Sequence, residues 1–204
     1  MTTEHDLPLD LPVIAILRAP SATRFAEVTA TLHEAGITAV EFTLNTPGAL
    51  DALRDSSGFA HPVGAGTVLT ALDATRAVDA GAAYLITPTV CPEVIAEGRR
   101  MGVPVICGAF TPTEIHSAWT AGAAMVKVFP ASVGGPGYLK AIRGPLPQIP
   151  LVPTGGIGLA DVRAYLDAGA EALGMGSPLV GDACTSGDLD ALRERAAAVR
   201  KALL

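Results

Sequence analysis

The segment PTEIHSAWTAGAAMVKVFP, residues 112–130, decides the fold because it leads from a helix through a glycine into a buried strand. A helical pattern over residues 112–121 ends at Gly122, and glycine suits the left-handed position just beyond a helix. The apolar run at residues 125–128 follows closely, and a short apolar run bounded by such signals is typical of a buried strand. The segment therefore predicts one helix–strand unit of a layered α/β protein.

The same unit recurs along the chain. Glycine ends further helical patterns at Gly36, Gly81, Gly102 and Gly169, and the shortest spacing, roughly 20 residues, is typical of a βα repeat. The predicted strands are residues 13–17, 39–43, 63–65, 84–87, 105–107, 125–128, 151–153 and 172–174. The predicted helices include residues 22–35, 69–80, 92–101, 112–121, 161–168 and 188–204.

This rhythm predicts a single-domain (β/α)8 TIM barrel of eight strands and eight helices over residues 1–204, with residues 1–10 as an N-terminal extension. A doubly wound sheet is the alternative. Such a sheet more often carries a glycine-rich turn after its first strand, whereas this chain has Leu-Arg-Ala-Pro at residues 17–20. The active site of a barrel lies at the C-terminal ends of its strands, and polar residues of this chain fall at those ends.

Composition limits the class of protein and its surroundings. Hydrophobic residues make up 50% of the chain, which is ample for a barrel core, and the net charge of −6 argues against a nucleic-acid or anionic membrane surface. Three cysteines without a CxxC pair and four scattered histidines indicate a reducing compartment and no metal site. We find no pattern of a signal peptide or membrane span, so we expect a cytoplasmic protein.

One lysine, Lys127, lies within the apolar run of the sixth predicted strand. An ammonium ion is costly to bury, and loss of water shifts a lysine towards its neutral amine, which can form a Schiff base with a carbonyl carbon. The alternative is an edge-strand lysine whose charged end reaches solvent.

The second predicted strand carries a candidate proton carrier. Period-two alternation puts Ala39, Glu41 and Thr43 on one side of this strand, where the small Ala39 leaves room for a buried carboxylate. A buried Glu41 near a lysine amine is a plausible general acid and base. A purely structural Glu41–Lys127 ion pair is the alternative.

Two turns that contain glycine predict a phosphate site. Thr154-Gly155-Gly156-Ile157 follows the seventh strand, and Gly174-Met175-Gly176-Ser177 follows the eighth. In phosphate-binding barrels these loops present backbone N–H groups to a phosphate dianion. Either turn alone is weak evidence, because glycines also simply turn chains, but their pairing in barrel register indicates a phosphate site.

On these motifs, the chain closely resembles the 2-keto-3-deoxy-6-phosphogluconate aldolase family. These class I pyruvate aldolases include 4-hydroxy-2-oxoglutarate and 2-keto-3-deoxy-6-phosphogalactonate aldolases. The resemblance covers nearly the whole chain. It is carried by residues 12–18 (PVIAILR), 40–45 (VEFTLN), 64–69 (GAGTVL), 87–88 (TP), 127–131 (KVFPA), 153–157 (PTGGI) and 176–177 (GS).

The resemblance implies that Lys127 forms the Schiff base and that Glu41 is the general acid and base. It implies substrate contacts for a further set of matching residues: Arg18, Thr67, Pro88, Thr154, Gly155, Gly156, Gly176 and Ser177. Within this set, Arg18 and Thr67 would hold the keto acid, while Gly156, Gly176 and Ser177 would hold the phosphate. A salt bridge of Arg18 across the barrel top is one alternative. An N-cap role for Thr67, which Thr70 would fill better, is another.

The implied reaction is reversible cleavage of 2-keto-3-deoxy-6-phosphogluconate to pyruvate and glyceraldehyde 3-phosphate. Cleavage of 4-hydroxy-2-oxoglutarate to pyruvate and glyoxylate is a further implied activity. The covalent lysine withdraws electrons as a metal would, so no cofactor is implied. The resemblance also implies a homotrimer whose small-molecule partners are a phosphorylated keto acid and pyruvate.

The choice of sugar epimer stays open. Asn45 stands where gluconate-type enzymes carry Arg, and residues 44–47 and 135–140 look more like the galactonate branch. Thr154 matches the gluconate branch, because galactonate-type enzymes carry Val at that position. From Thr154 we expect a preference for the gluconate epimer, with a galactonate-type enzyme as the alternative.

Two alternatives lie outside this family. One is another phosphate-binding barrel enzyme, such as an epimerase or a thiamine-phosphate-type synthase, which would not need a lysine in the sixth strand. The other is a catalytically inactive barrel, which would be expected to have lost Glu41 or Lys127.

Overall fold

A computed structural model describes residues 9–203, and the eight strands in this range are all parallel. In chain order they are β1 Val13–Leu17, β2 Ala39–Thr43, β3 Val63–Gly66, β4 Leu85–Ile86, β5 Val105–Ala109, β6 Met125–Val128, β7 Leu151–Pro153 and β8 Leu173–Met175. Their spatial order is β7-β6-β5-β4-β3-β2-β1-β8, and a bridge between Thr154 and Gly174 joins the two outer strands. The strands thus close into the predicted (β/α)8 barrel, and the doubly wound alternative is wrong.

Helices alternate with these strands. They are α1 Phe25–Glu34, α2 Ala49–Asp55, α3 Ala71–Asp79, α4 Pro92–Met101, α5 Pro112–Ala121, α6 Ala131–Arg143, α7 Val162–Asp167, α8 Ser177–Val180, α9 Ala183–Ser186 and α10 Leu189–Leu203. Single turns of 3₁₀ helix cover Ser56–Gly58 and Leu159–Asp161. The described residues contain ten α-helices, two more than the eight predicted, because two short helices, α8 and α9, lie between β8 and the final helix. The predicted extension, residues 1–10, lies largely outside the described residues.

Most differences from the predicted elements fall at their ends. The predicted helix 22–35 begins only at Phe25, because the Ala22 N–H donates to the Pro47 carbonyl at 3.0 Å and belongs to a loop. The predicted helix 69–80 begins at Ala71, because Thr70 caps it. Four strands also differ in their bounds: 63–65 is observed as Val63–Gly66, 84–87 as Leu85–Ile86, 105–107 as Val105–Ala109, and 172–174 as Leu173–Met175. Two helices differ likewise: 161–168 is observed as Val162–Asp167, and 188–204 as Leu189–Leu203.

The predicted helix-ending glycines are confirmed. Gly36, Gly81, Gly102, Gly122 and Gly169 have φ angles of 80°, 102°, 72°, 102° and 93°. In this left-handed region a side chain is disfavoured, so each glycine lets the chain leave its helix and enter the next segment.

Apolar side chains form two layers around the strands. The inner cluster contains Ile14, Ala39, Tyr84, Ile86, Ile106, Met125, Val152 and Ala172, most of them near the start of a strand. The larger cluster packs the outward faces of the strands against the helices. Because the inner cluster fills mainly the lower part of the barrel, the C-terminal ends of the strands are left for polar groups. Within the described residues, we see no helix with the length and apolar character needed to span a membrane.

Candidate active site

A cavity of about 430 Å³ lies at the C-terminal ends of the strands. Its lining includes Lys127 and every residue predicted to contact substrate: Arg18, Thr67, Pro88, Thr154, Gly155, Gly156, Gly176 and Ser177. Glu41 does not line the cavity and is only 1% exposed within the barrel wall. The volume suits a small organic substrate. The structure therefore brings Lys127 and the predicted substrate contacts together around one cavity, with Glu41 outside its lining.

Lys127 lies within the sixth strand, in register with Gly108 of β5 and Val152 of β7. The residue is 7% exposed, and its Nζ atom lies 5.5 Å from the centroid of the Phe129 ring, which is a cation–π distance. Because β6 is paired along both edges, the interpretation of Lys127 as a solvent-seeking edge residue is wrong. Its side chain meets the cavity instead.

Glycines on β3 provide the space that Glu41 occupies. A Cβ atom on Gly66 would collide with Oε1 of Glu41, and a Cβ atom on Gly64 would collide with the ring of Tyr84. The Tyr84 hydroxyl donates to the Val40 carbonyl at 2.7 Å, one residue before Glu41. Because Gly64 and Gly66 have no side chains, the Tyr84 ring and the Glu41 carboxyl group can lie inside the barrel beside β3.

The surroundings of Glu41 favour its protonated form. Its Oε1 atom is buried without a hydrogen-bond partner among the described residues. Burial raises the pKa of Glu41 above its ordinary value, and the positive charges of Lys127 and Arg18 offset part of that rise. Within residues 9–203, Glu41 and Lys127 form no ion pair inside 4.0 Å, so the structural ion pair is wrong. A carboxyl group with a raised pKa can donate a proton, and the carboxylate that it leaves is a stronger base than an ordinary one.

Arg18 and Thr67 meet at the mouth of the barrel. The Arg18 Nη2 atom donates to Thr67 Oγ1 at 3.4 Å, and both residues line the cavity. Thr67 has a φ angle of 57°, which is a strained conformation for a β-branched residue and is characteristic of functional sites. The cap of α3 is Thr70, whose hydroxyl accepts the Asp73 N–H at 3.1 Å, so Thr67 is not the N-cap. Arg18 forms no ion pair within the described chain, and the barrel-closing salt bridge is therefore wrong.

The loop after β7 packs against the start of α6. Gly155 and Gly156 have φ angles of 94° and 74°, and a Cβ atom on Gly156 would lie 2.6 Å from the Ser132 side chain. The Ser132 N–H donates to the Gly155 carbonyl at 3.0 Å, which holds the loop in place. The second loop leads into α8 at Ser177. In this single turn Pro178 has no N–H, and the N–H groups of Leu179 and Val180 donate to the Gly176 carbonyl, which leaves the Ser177 N–H without an acceptor inside the helix. Both loops thus bring backbone to one side of the cavity.

Thr154 lies where the barrel closes. It is 3% exposed, and a Cβ atom on Gly174 would collide with its hydroxyl. The Thr154 hydroxyl donates to the Val152 carbonyl at 3.2 Å, which leaves lone pairs of the oxygen free to accept a hydrogen bond.

Sequence reasoning missed several residues of the lining. Ile16, Phe129, Pro178 and Val180 all line the cavity, although none carries a polar group. Period-two alternation puts Phe129 on the same side of β6 as Lys127, but its apolar side chain gives no reason to assign it to the site; the same alternation from Ile14 would have found Ile16. The residues of α8 gave no such signal, because that helix is a single turn.

A closed barrel with a buried lysine and a buried carboxyl group at its C-terminal face defines a (β/α)8 enzyme. The family described as KDPG and KHG aldolase matches residues 7–194, and the chain belongs to that family. The protein is accordingly an aldolase, a lyase of the class I pyruvate-dependent type.

Individual relatives agree with this assignment. A probable 2-dehydro-3-deoxy-6-phosphogalactonate aldolase of Rhizobium meliloti is 36% identical over 195 residues, which cover 94% of this chain and 91% of the relative. A 2-dehydro-3-deoxy-phosphogluconate aldolase of Pseudomonas aeruginosa is 39% identical over 160 residues, covering 76% and 71%. The structure of the KDPG aldolase from Legionella pneumophila, with pyruvate captured as a covalent carbinolamine, matches with a TM-score of 0.84 and 31% identity, covering 93% and 94%.

Proposed function

We propose that this aldolase cleaves 2-keto-3-deoxy-6-phosphogluconate reversibly to pyruvate and glyceraldehyde 3-phosphate through a Schiff base at Lys127. The observation that carries the proposal is the position of Lys127, a buried lysine of β6 that lines the cavity at the C-terminal ends of the strands. The carbinolamine formed by pyruvate in the Legionella relative supports covalent chemistry of the same kind here. Cleavage of 4-hydroxy-2-oxoglutarate is a second activity of the same site, because the pyruvate half of that substrate is shared.

The proposed reaction is a retro-aldol cleavage. The Lys127 amine attacks the keto carbon, water is lost, and the resulting iminium withdraws electrons from the neighbouring bonds. Protonated Glu41 gives its proton to the hydroxyl that leaves as water, so it is ionised when it accepts the proton of the hydroxyl on carbon 4, directly or through a water molecule. The bond between carbons 3 and 4 then breaks, releasing the aldehyde and leaving an enamine. Glu41 returns a proton to carbon 3, and hydrolysis of the iminium releases pyruvate and regenerates the amine.

The remaining residues of the lining account for binding. Arg18 supplies the positive charge that a keto-acid carboxylate needs, and the Thr67 hydroxyl beside it supplies a second polar contact. The glycine loops at residues 155–156 and 176–177 would present backbone N–H groups to the phosphate. Pro88 lines the pocket without an N–H donor to satisfy.

Thr154 is the residue that we propose to select the epimer. Thr154 lines the cavity, and its hydroxyl oxygen would accept a hydrogen bond from the substrate hydroxyl at the carbon being cleaved. Valine offers only bulk, so threonine favours the gluconate over the galactonate epimer. A galactonate-type enzyme is the alternative, supported by Asn45 and by the Rhizobium relative.

We propose that no metal or other cofactor takes part, because the iminium itself withdraws the electrons. In the described part of the chain, no group of three or more His, Cys, Asp or Glu side chains could hold a metal ion. The three free cysteines fit a reducing location such as the cytoplasm. Exposed apolar side chains at Leu69, Leu72 and Val133 support self-association, and we propose a homotrimer, testable by the mass of the protein in solution.

Trapping with pyruvate and sodium borohydride tests the proposal directly. Reduction should inactivate the protein and add one reduced pyruvyl group to the peptide that carries Lys127. Lys140 and Lys201, which are exposed, serve as internal controls within the same chain. Modification of either control lysine instead, or the absence of an adduct, would exclude the Schiff base at Lys127. The absence of an adduct would also favour another type of phosphate-binding barrel enzyme.

A further inference from the structure

We infer that Thr43 and Thr46 are positioning residues that fix the backbone on both sides of Arg18. The inference rests on the proposed role of Arg18 in binding the keto acid. Neither threonine lines the cavity, so both would act on the substrate only through Arg18.

A continuous chain of hydrogen bonds joins the ends of β1 and β2. The Ala19 nitrogen lies 3.3 Å from Thr46 Oγ1, the two threonine hydroxyls lie 3.1 Å apart, and Thr43 Oγ1 lies 3.1 Å from the Leu17 carbonyl oxygen. An N–H group can only donate and a carbonyl can only accept, so the direction is fixed. Ala19 donates to Thr46, Thr46 donates to Thr43, and Thr43 donates to Leu17. The chain therefore begins and ends on the two neighbours of Arg18.

The two threonine side chains are shielded from solvent. Thr43 is 0% exposed and Thr46 is 2% exposed, so water cannot readily replace their hydrogen bonds. A further bond, from the Ala22 N–H to the Pro47 carbonyl at 3.0 Å, ties the same two loops together. Two bonds thus join the loop after β1 to the loop after β2, and a third joins the last residues of the two strands.

Arg18 itself has little to hold it. The residue is exposed, and within the described chain its side chain makes one hydrogen bond, the 3.4 Å contact with Thr67. A long side chain of this kind has many rotamers, and binding a carboxylate with it costs conformational entropy. A fixed backbone at Leu17 and Ala19 limits the directions in which the guanidinium group can point, which preorganises it for the keto acid.

The test compares valine variants, which keep the shape of threonine but lack the hydroxyl. Thr43→Val and Thr46→Val each break two of the three bonds. Thr43→Val leaves the bond from Ala19 to Thr46 in place, and Thr46→Val leaves the bond from Thr43 to Leu17 in place. Thr29→Val is the matched control, because Thr29 is 0% exposed in α1 and its hydroxyl has no partner among the described residues. Each variant is titrated with pyruvate, and the half-saturating concentration for borohydride labelling of Lys127 is measured.

We expect Thr43→Val to raise the half-saturating pyruvate concentration about 10-fold, since small displacements of a binding group have effects of this size. Thr46→Val should have a similar effect, because it also removes two of the three bonds. Thr43→Ser should keep the wild-type value, and Thr29→Val should leave it unchanged. In an Arg18→Ala background, Thr43→Val should add nothing, because two residues that act through one contact are not additive. A merely structural role would lower thermal stability equally in both backgrounds and would not produce this pattern.

Two results would overturn the inference. One is an unchanged half-saturating concentration in Thr43→Val, and the other is an equal effect of Thr43→Val with and without Arg18. Either result, with normal labelling of the wild-type protein, removes the role of the threonines and leaves the proposed function intact. Absence of labelling in the wild-type protein removes the proposed function and the inference together.

Discussion

Replacement of Glu41 by glutamine separates proton transfer from every other property of the site. Glutamine has nearly the same size and stays neutral, so it resembles the protonated carboxyl group that burial favours. The side chain lies 1% exposed against Gly66, where a larger residue would not fit. We therefore expect Glu41→Gln to retain the fold and the cavity while losing the ability to carry a proton.

The expected loss of turnover follows from the size of general acid–base catalysis. A well-placed proton carrier contributes about 10²–10⁴-fold, or about 2.7–5.4 kcal/mol of barrier. The value of kcat for pyruvate release should fall by that factor. Lys127 should still be labelled by pyruvate and borohydride, although more slowly. The matched control is Glu171→Gln, an exposed carboxylate that precedes β8 at the opposite end of the barrel.

The difference in stability between this variant and the wild-type protein should depend on pH. Burial raises the pKa of Glu41 above its ordinary value of 4.5, so the folded protein holds this proton more tightly than the unfolded chain does. The stability from this proton is fully present below pH 4.5 and is lost as the pH rises through the folded pKa. Glutamine does not titrate, so the advantage of Glu41→Gln in unfolding free energy should grow with pH over that range.

Urea unfolding at several pH values, together with kcat measured by coupled pyruvate detection, checks both expectations. Nearly full turnover in Glu41→Gln would show that the carboxyl group is structural and that another group or a water molecule carries the protons. A stability difference that does not vary with pH would show that Glu41 keeps an ordinary pKa in the folded protein.

Two further predictions concern substrate choice and metals. Thr154→Val should shift the ratio of kcat/KM for the two phosphorylated epimers towards galactonate by about 1–3 kcal/mol, because a hydrogen bond to the substrate hydroxyl is lost. Equal use of both epimers, unchanged by the substitution, would show that this position does not set the stereochemistry. Incubation with a chelator should leave kcat unchanged, since the described residues offer no metal-binding cluster. Activity lost to the chelator and restored by a divalent metal would contradict the Schiff-base mechanism.

The fold and most of the lining could be predicted because they depend on local patterns. Gly122 and its counterparts mark helix ends through their φ preference, and Lys127 is conspicuous as a charge within an apolar strand. The C-terminal ends of parallel strands converge in a barrel, so residues far apart in the chain meet without any knowledge of side-chain packing.

Features that depend on packing between strands could not be predicted. The space for Glu41 comes from Gly66 on the neighbouring strand, and nothing in the local sequence of either residue records that contact. The left-handed conformation of Thr67 likewise cannot be predicted from the sequence, because threonine does not favour a positive φ. The hydrogen-bond chain from Ala19 through Thr46 and Thr43 to Leu17 depends on how the ends of β1 and β2 are positioned relative to each other. Alternation within one strand does not predict that position.

The bridge between Thr154 and Gly174 gives the site an unusual coupling between selectivity and mechanical integrity. At the C-terminal ends of β7 and β8 this pair joins the two strands, and the Thr154 side chain fills the space beside Gly174 that a Cβ atom would occupy. A residue no larger than valine can replace Thr154 without separating β7 from β8. Bulkier residues would have to push β8 outwards to be accommodated. Substitutions at position 154 that aim to change the sugar-acid specificity are therefore limited to small side chains. Larger changes in specificity must come from other residues of the cavity.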